Sequence, residues 1–123
     1  MRNKQKGFSL IELLIVVAII LIVAAIAIPN LLRSKMSANE ASAVGSLRIL
    51  NTASISFNTT YGNYPPALSD LGPSTVPPST AADLIDSALV TGTKSGYTFS
   101  FTPNSTNTDY SINASPVTVN VTG

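Results

Sequence analysis

FSLIELLIVVAIILIVAAIAI, residues 8–28, is the stretch on which the reading of this chain turns. Ser9 and Glu12 are its only polar side chains, and none occurs between Leu13 and Ile28. As a helix the run is roughly 30 Å long, the thickness of a bilayer's hydrocarbon core. A helix on the surface of a soluble domain carries a polar stripe at period 3.6, and this run has no such stripe. Residues 51–123 are rich in Ser, Thr, Asn, Pro and Gly, too polar and too few to wrap an apolar helix on all sides. Membrane insertion is the expectation.

Ahead of the run lies MRNKQKG, residues 1–7, with Arg2, Lys4 and Lys6 as a positive cluster. Loops rich in Lys and Arg stay on the cytoplasmic side, so this end is expected inside and the C-terminal part exported. Arg33 and Lys35 follow the run and weaken that bias. The apolar core is longer than the 7–15 residues of an ordinary secretory signal, so the segment is expected to be retained.

Composition excludes whole classes of chemistry. The chain has no Cys, no His and no Trp, so disulfide staples, Cys or His metal sites, and imidazole or thiolate catalysis are out. Charged residues are 11% of the chain, less than half the roughly 25% of a typical soluble domain. A net charge of +1 leaves no electrostatic footprint for nucleic acid. The exported carboxylates Glu40, Asp70, Asp83, Asp86 and Asp109 fall in no catalytic motif and no ligand-dense calcium loop. No catalytic residue, metal or cofactor is assigned, and the chain does not read as an enzyme.

Glu12 is the residue out of place. No basic side chain lies within four positions of it. A carboxylate at that depth costs roughly 2–3 kcal/mol or more unless it meets a partner. Its own run offers none, which points to a partner on another molecule.

These residues carry a family resemblance. GFSLIELLIVVAIILIVAAIAIP, residues 7–29, resembles the class III signal of type IV pilins and of the pseudopilins of type II secretion. The shared features are a short basic leader ending in Gly7, Phe8 at the first mature position, Glu12 at the fifth, and an apolar helix running to Pro29. A looser similarity continues to about Leu71. The resemblance implies that a prepilin peptidase cuts between Gly7 and Phe8 on the cytoplasmic side, removing Arg2, Lys4 and Lys6. The new amine of Phe8 is then N-methylated and stays cationic. Glu12 neutralises the Phe8 amine of a neighbouring subunit, a pairing that also sets register. The implied function is that of a structural subunit, a major pilin of a type IV pilus. A type II secretion pseudopilin or minor pilin is the alternative, and a non-polymerising anchored binding module a more distant one. The implied partners are identical subunits in a homopolymer, the peptidase, the pilus assembly machinery and the inner membrane. The protein is expected as a single-pass inner-membrane subunit and then in an extracellular filament.

Beyond the run, Pro29 lacks an N–H and its ring clashes with the carbonyl of residue 25, so a helix kink or local melting is expected there. Ala43, Leu47, Leu50, Ser54, Phe57 and Tyr61 recur at spacings of about three and four, one face of an amphipathic helix from Asn30 to about Tyr61. Gly45 suggests close approach of a sheet. Gly62, Pro65, Pro66 and Gly72 end the helix, and by the resemblance Tyr64 packs this loop onto it. Residues 73–80 read as a loop, and Ala81–Leu89 as a short helix with Asp83 near its start. Residues 96–102 and 109–114 alternate as strands, and 116–122 (PVTVNVT) as a third. Four N-x-S/T matches begin at Asn58, Asn104, Asn113 and Asn120, as chance allows in so Asn-rich a chain.

The fold class is therefore α+β and pilin-like: a long N-terminal helix, half apolar and half amphipathic, with a small antiparallel sheet head. The expected organisation is a cleaved leader at 1–7, a hydrophobic transmembrane or filament-core helix at 8–29, and amphipathic helix plus head at 30–123.

Overall fold

A computed structural model describes residues 6–73 and 82–123. The expected basic residues Arg2 and Lys4, and most of the expected loop at 73–80, lie outside the described residues. Helix α1 spans Leu10–Tyr61, followed by a 3-10 turn at Leu68–Leu71 and a short α2 at Ser87–Val90. Strands β1 (Thr93–Lys94), β2 (Tyr97–Pro103) and β3 (Tyr110–Pro116) form one antiparallel sheet in the order β1-β2-β3. A long helix with a small antiparallel sheet is the expected α+β arrangement. The chain divides into two compact units, one ending at Ser34 and the other spanning Lys35–Gly123.

In the first unit α1 is helical at every residue through Pro29, so the expected local melting is not a feature of the single chain. The ring removes one donor from a ladder whose neighbouring bonds persist. The apolar side chains here have no core of their own. Ile19 is 56% exposed and Leu21 63%.

The second unit is built around the later turns of α1. Ala43, Ser46, Leu50, Ala53, Ser54 and Phe57 form its buried face, with Leu47 packed against the same core. Tyr61 stays exposed but lays its ring 4.4 Å from that of Phe57. The stretch from Thr52 to Tyr61 is rich in Ser, Thr and Asn, weak helix formers because their side chains compete for the backbone. Here they bond within the helix instead. Ser54 donates to the Leu50 carbonyl at 2.8 Å and Thr59 to that of Ile55 at 2.9 Å, so even the fully buried Ser54 hydroxyl is satisfied. Gly45 does not serve a close approach: a Cβ there would meet open space. The buried face of the helix nearby carries the small side chains of Ala43 and Ser46.

The strands follow the alternation in the sequence. Tyr97 and Phe99 of β2 are buried, Ile112 and Ala114 of β3 pack partly against the core, and Thr98, Ser100, Ser111, Asn113 and Ser115 face out. In register, Phe99 pairs with Ala114 and Phe101 with Ile112. Asn104 closes the β2–β3 hairpin: its Oδ1 accepts from the N–H of Thr108 at 2.9 Å and its Nδ2 donates to Thr108 Oγ1 at 2.9 Å. Tyr64 anchors the post-helix loop on this hairpin, donating its N–H to the Asn107 carbonyl at 2.8 Å and packing edge-on against Tyr110. Tyr110 in turn donates its hydroxyl to Asn51 Oδ1 on α1.

Two expected elements differ. The third strand is the two-residue β1, not residues 116–122. Pro116 ends β3, Val121 and Thr122 both donate to the Thr118 carbonyl, and Asn120 sits at φ +62°, so the segment turns instead of extending. The helix expected at Ala81–Leu89 is only Ser87–Val90. Before it, Ala82, Asp83 and Leu84 donate their N–H groups to the carbonyls of Asp70, Gly72 and Leu71. Asp83 has φ +52° and caps nothing, whereas Asp86 is the N-cap, accepting from the Leu89 N–H at 2.9 Å. That hydrogen bond first, and then the Lys94 ammonium 3.4 Å away, hold the Asp86 carboxyl below its ordinary 3.8.

Candidate functional site

The residues singled out in the sequence lie at the start of α1 and along its apolar half. Lys6 to Ser9 are not helical. The bond between Gly7 and Phe8 therefore lies in irregular backbone just ahead of the helix, with both residues exposed and Phe8 at 90%. A Cβ added at Gly7 would meet nothing within 4 Å.

Glu12 sits in the first turn, where a negative charge is favoured by the helix dipole. Its carboxylate is not idle. Glu12 Oε2 accepts from the backbone N–H of Ser9 at 3.1 Å, while Ser9 Oγ accepts from the backbone N–H of Glu12 at 3.3 Å. Leu13 donates its N–H to the Ser9 carbonyl at 3.3 Å, closing the turn. This is a reciprocal capping box, with Ser9 as N-cap and Glu12 three residues on, and it satisfies two donors that a helix start leaves bare. Sequence reasoning missed Ser9 as a partner, although S-x-x-E at 9–12 is the pattern that signals it.

Within one chain the structure does not bring Glu12 and Phe8 together as a hydrogen-bonded or ion pair. Glu12 Oε1 has no hydrogen-bond partner among the described residues. Pro29 lies far along the helix from both. Among the described residues α1 is the one helix long and apolar enough to cross a membrane, and its most apolar window is wholly unburied. No group of three carboxylates suited to a metal occurs among the described residues.

Residues 2–28 match the family described as the prokaryotic N-terminal methylation motif. The chain is similar to type IV pilins and to type II secretion core proteins. It is 42% identical over 69 residues to the type IV major pilin protein PilA of Myxococcus xanthus, covering 56% of this chain and 31% of that protein. It is 65% identical over 40 residues to the type IV wide pilus major component PilA4 of Thermus thermophilus, covering 32% of this chain and 30% of that one. It is 33% identical over 63 residues to the type II secretion system core protein G of Escherichia coli, covering 51% and 43%. The chain thus spans between about a third and a half of the length of the curated relatives it matches. No solved structure matches it. The methylation motif and the membrane-length helix together are consistent with insertion into a membrane before extrusion.

Proposed function

We propose that the protein is a major subunit of a type IV pilus, assembled from the inner membrane through its N-terminal helix. The carrying observation is an apolar helix with no core of its own, headed by G-F-x-x-x-E and broken only by Glu12. Residues 1–7 are the leader, cut between Gly7 and Phe8 by a prepilin peptidase, and the Phe8 amine is N-methylated. Residues 8–29 form the transmembrane and then filament-core segment, and residues 30–123 the exported part. Pro29, with no N–H to give, is where the helix kinks as subunits pack.

The mechanism is assembly. The mature subunit waits as a single span, and the pilus machinery extracts it into a bundle of identical helices in an extracellular filament. Lipid and bundle are equally dry, so the exchange is close to neutral for the apolar side chains. Charge pairing decides the register: Glu12 of one copy against the Phe8 amine of the next is favoured over two separate buried charges. The relatives named as pilus components support a pilin, as does the low-charge, Ser- and Thr-rich head. The similarity to a type II secretion core protein supports the second reading, a pseudopilin or minor pilin in a short filament. Glu12→Ala or Glu12→Leu is expected to give processed protein in membranes and few filaments. A normal filament yield from either variant contradicts the charge-pairing role.

A further inference from the structure

We propose that Ser9 is a positioning residue for Glu12, setting the carboxylate for contact between copies before any second copy arrives. The proposal rests on the charge pairing described above and adds to it a second residue and an order of events. A free Glu side chain has three rotatable bonds and loses considerable freedom when it is fixed. In the capping box much of that freedom is already gone. Ser9 Oγ accepts from the Glu12 N–H, and Glu12 Oε2 accepts from the Ser9 N–H, at 3.3 and 3.1 Å. The carboxylate is folded back toward the N-terminal end of its helix, onto the N–H of Ser9, the residue next to Phe8 in sequence. One oxygen is held by the chain's own amide, and Oε1 is left to accept from a cation.

Two consequences follow. A carboxylate bonded to a backbone N–H is less costly in an apolar setting than a bare one, so the cap serves the waiting subunit. Contact with the Phe8 amine of a second copy then uses the oxygen that the cap leaves open. The two interactions add, and neither has to break for the other to form.

The geometry gives a clean pair of variants in the full chain. Glu12→Gln keeps the cap, because Gln also completes a capping box, but removes the charge. Ser9→Ala keeps the charge but removes the hydroxyl, and Ser9→Thr restores it. The readouts are the amount of processed subunit in membranes and the yield of sheared filaments. Ser9→Ala is expected to leave the processed membrane pool intact and lower filament yield about fivefold, the equilibrium equivalent of one lost helix cap. Ser9→Thr should restore the yield. Added to Glu12→Gln, Ser9→Ala should lower the yield no further, because the residue acts only through the carboxylate. Wild-type yield from Ser9→Ala beside a defective Glu12→Gln overturns the role of Ser9 and leaves the charge pair standing. An equal loss of membrane pool and filaments in Ser9→Ala also overturns it, since that is a plain loss of helix stability. Normal yield from Glu12→Gln overturns the charge pair, and this proposal with it.

Discussion

The two units of this chain use the same residue types in opposite ways. From Leu10 to Leu32 the large apolar side chains face outward, from 43% exposed at Leu32 to 76% at Leu10. From Ala43 onward the chain buries a core, with Leu50 and Leu71 fully enclosed and Phe57 at 7%. The second unit holds itself together by excluding water from its own side chains. The first cannot, and its helix is at ease only where the surroundings are themselves apolar, in lipid or among other such helices. One chain thus joins a part that folds by itself to a part completed by its environment.

Substitutions that strike one region and spare the other sharpen this contrast. The largest effect is expected from Phe57→Ala, which empties the space under Tyr61 and beside Leu50. It should destabilise the head by about 3–5 kcal/mol in thermal melts of the detergent-solubilised full chain. Membrane recovery of the processed subunit should hardly change. Ile19→Arg is the opposite probe. An arginine at mid-span costs about 2.5–3.5 kcal/mol of insertion, so the membrane-resident protein should fall while the head melts at its normal temperature. If Ile19→Arg also lowered the melting of the head, the two regions would not be independent in the way their burial implies. Smallest is Tyr110→Phe, which removes the hydroxyl that donates to Asn51 but keeps the ring against Phe101 and Tyr64. A loss of about 1 kcal/mol in head stability is expected, with no effect on insertion. Burial pushes the Tyr110 phenol above its ordinary 10.0, so the stability that the neutral hydroxyl contributes is whole below pH 10 and is lost progressively as pH rises beyond it.

The same contrast explains what could be read from the letters. The helix face through Leu50 and Phe57 and the hairpin of β2 and β3 each bury one face, and burial imposes a period that survives in the sequence, whereas the apolar run is legible by its unbroken length. Residues 116–122 alternate as well, yet Val117 and Val119 remain 56% and 69% exposed. Alternation records what a strand requires, not whether a neighbouring edge is there to pair with it. Proline at 116 and the left-handed Asn120 decide the matter locally. The short α2 was blurred for a similar reason: Asp83 and Asp86 both look like helix starts, and only the backbone bonds of residues 82–84 to the 70–72 segment show which one is. At the N-terminal end, Glu12 stands out by its departure from an apolar run. Ser9 is as legible by pattern, but a charge in hydrocarbon reads first as a demand for an outside partner, which hides the one three residues away.

The central claim is that the exposed helix is a processed filament core. Mass spectrometry of filaments sheared from intact cells tests it most directly. The account expects the dominant N-terminal peptide to begin at N-methylated Phe8. Filaments built from chains that still begin at Met1 would contradict it, as would processed chain found only in membranes and never in the sheared fraction.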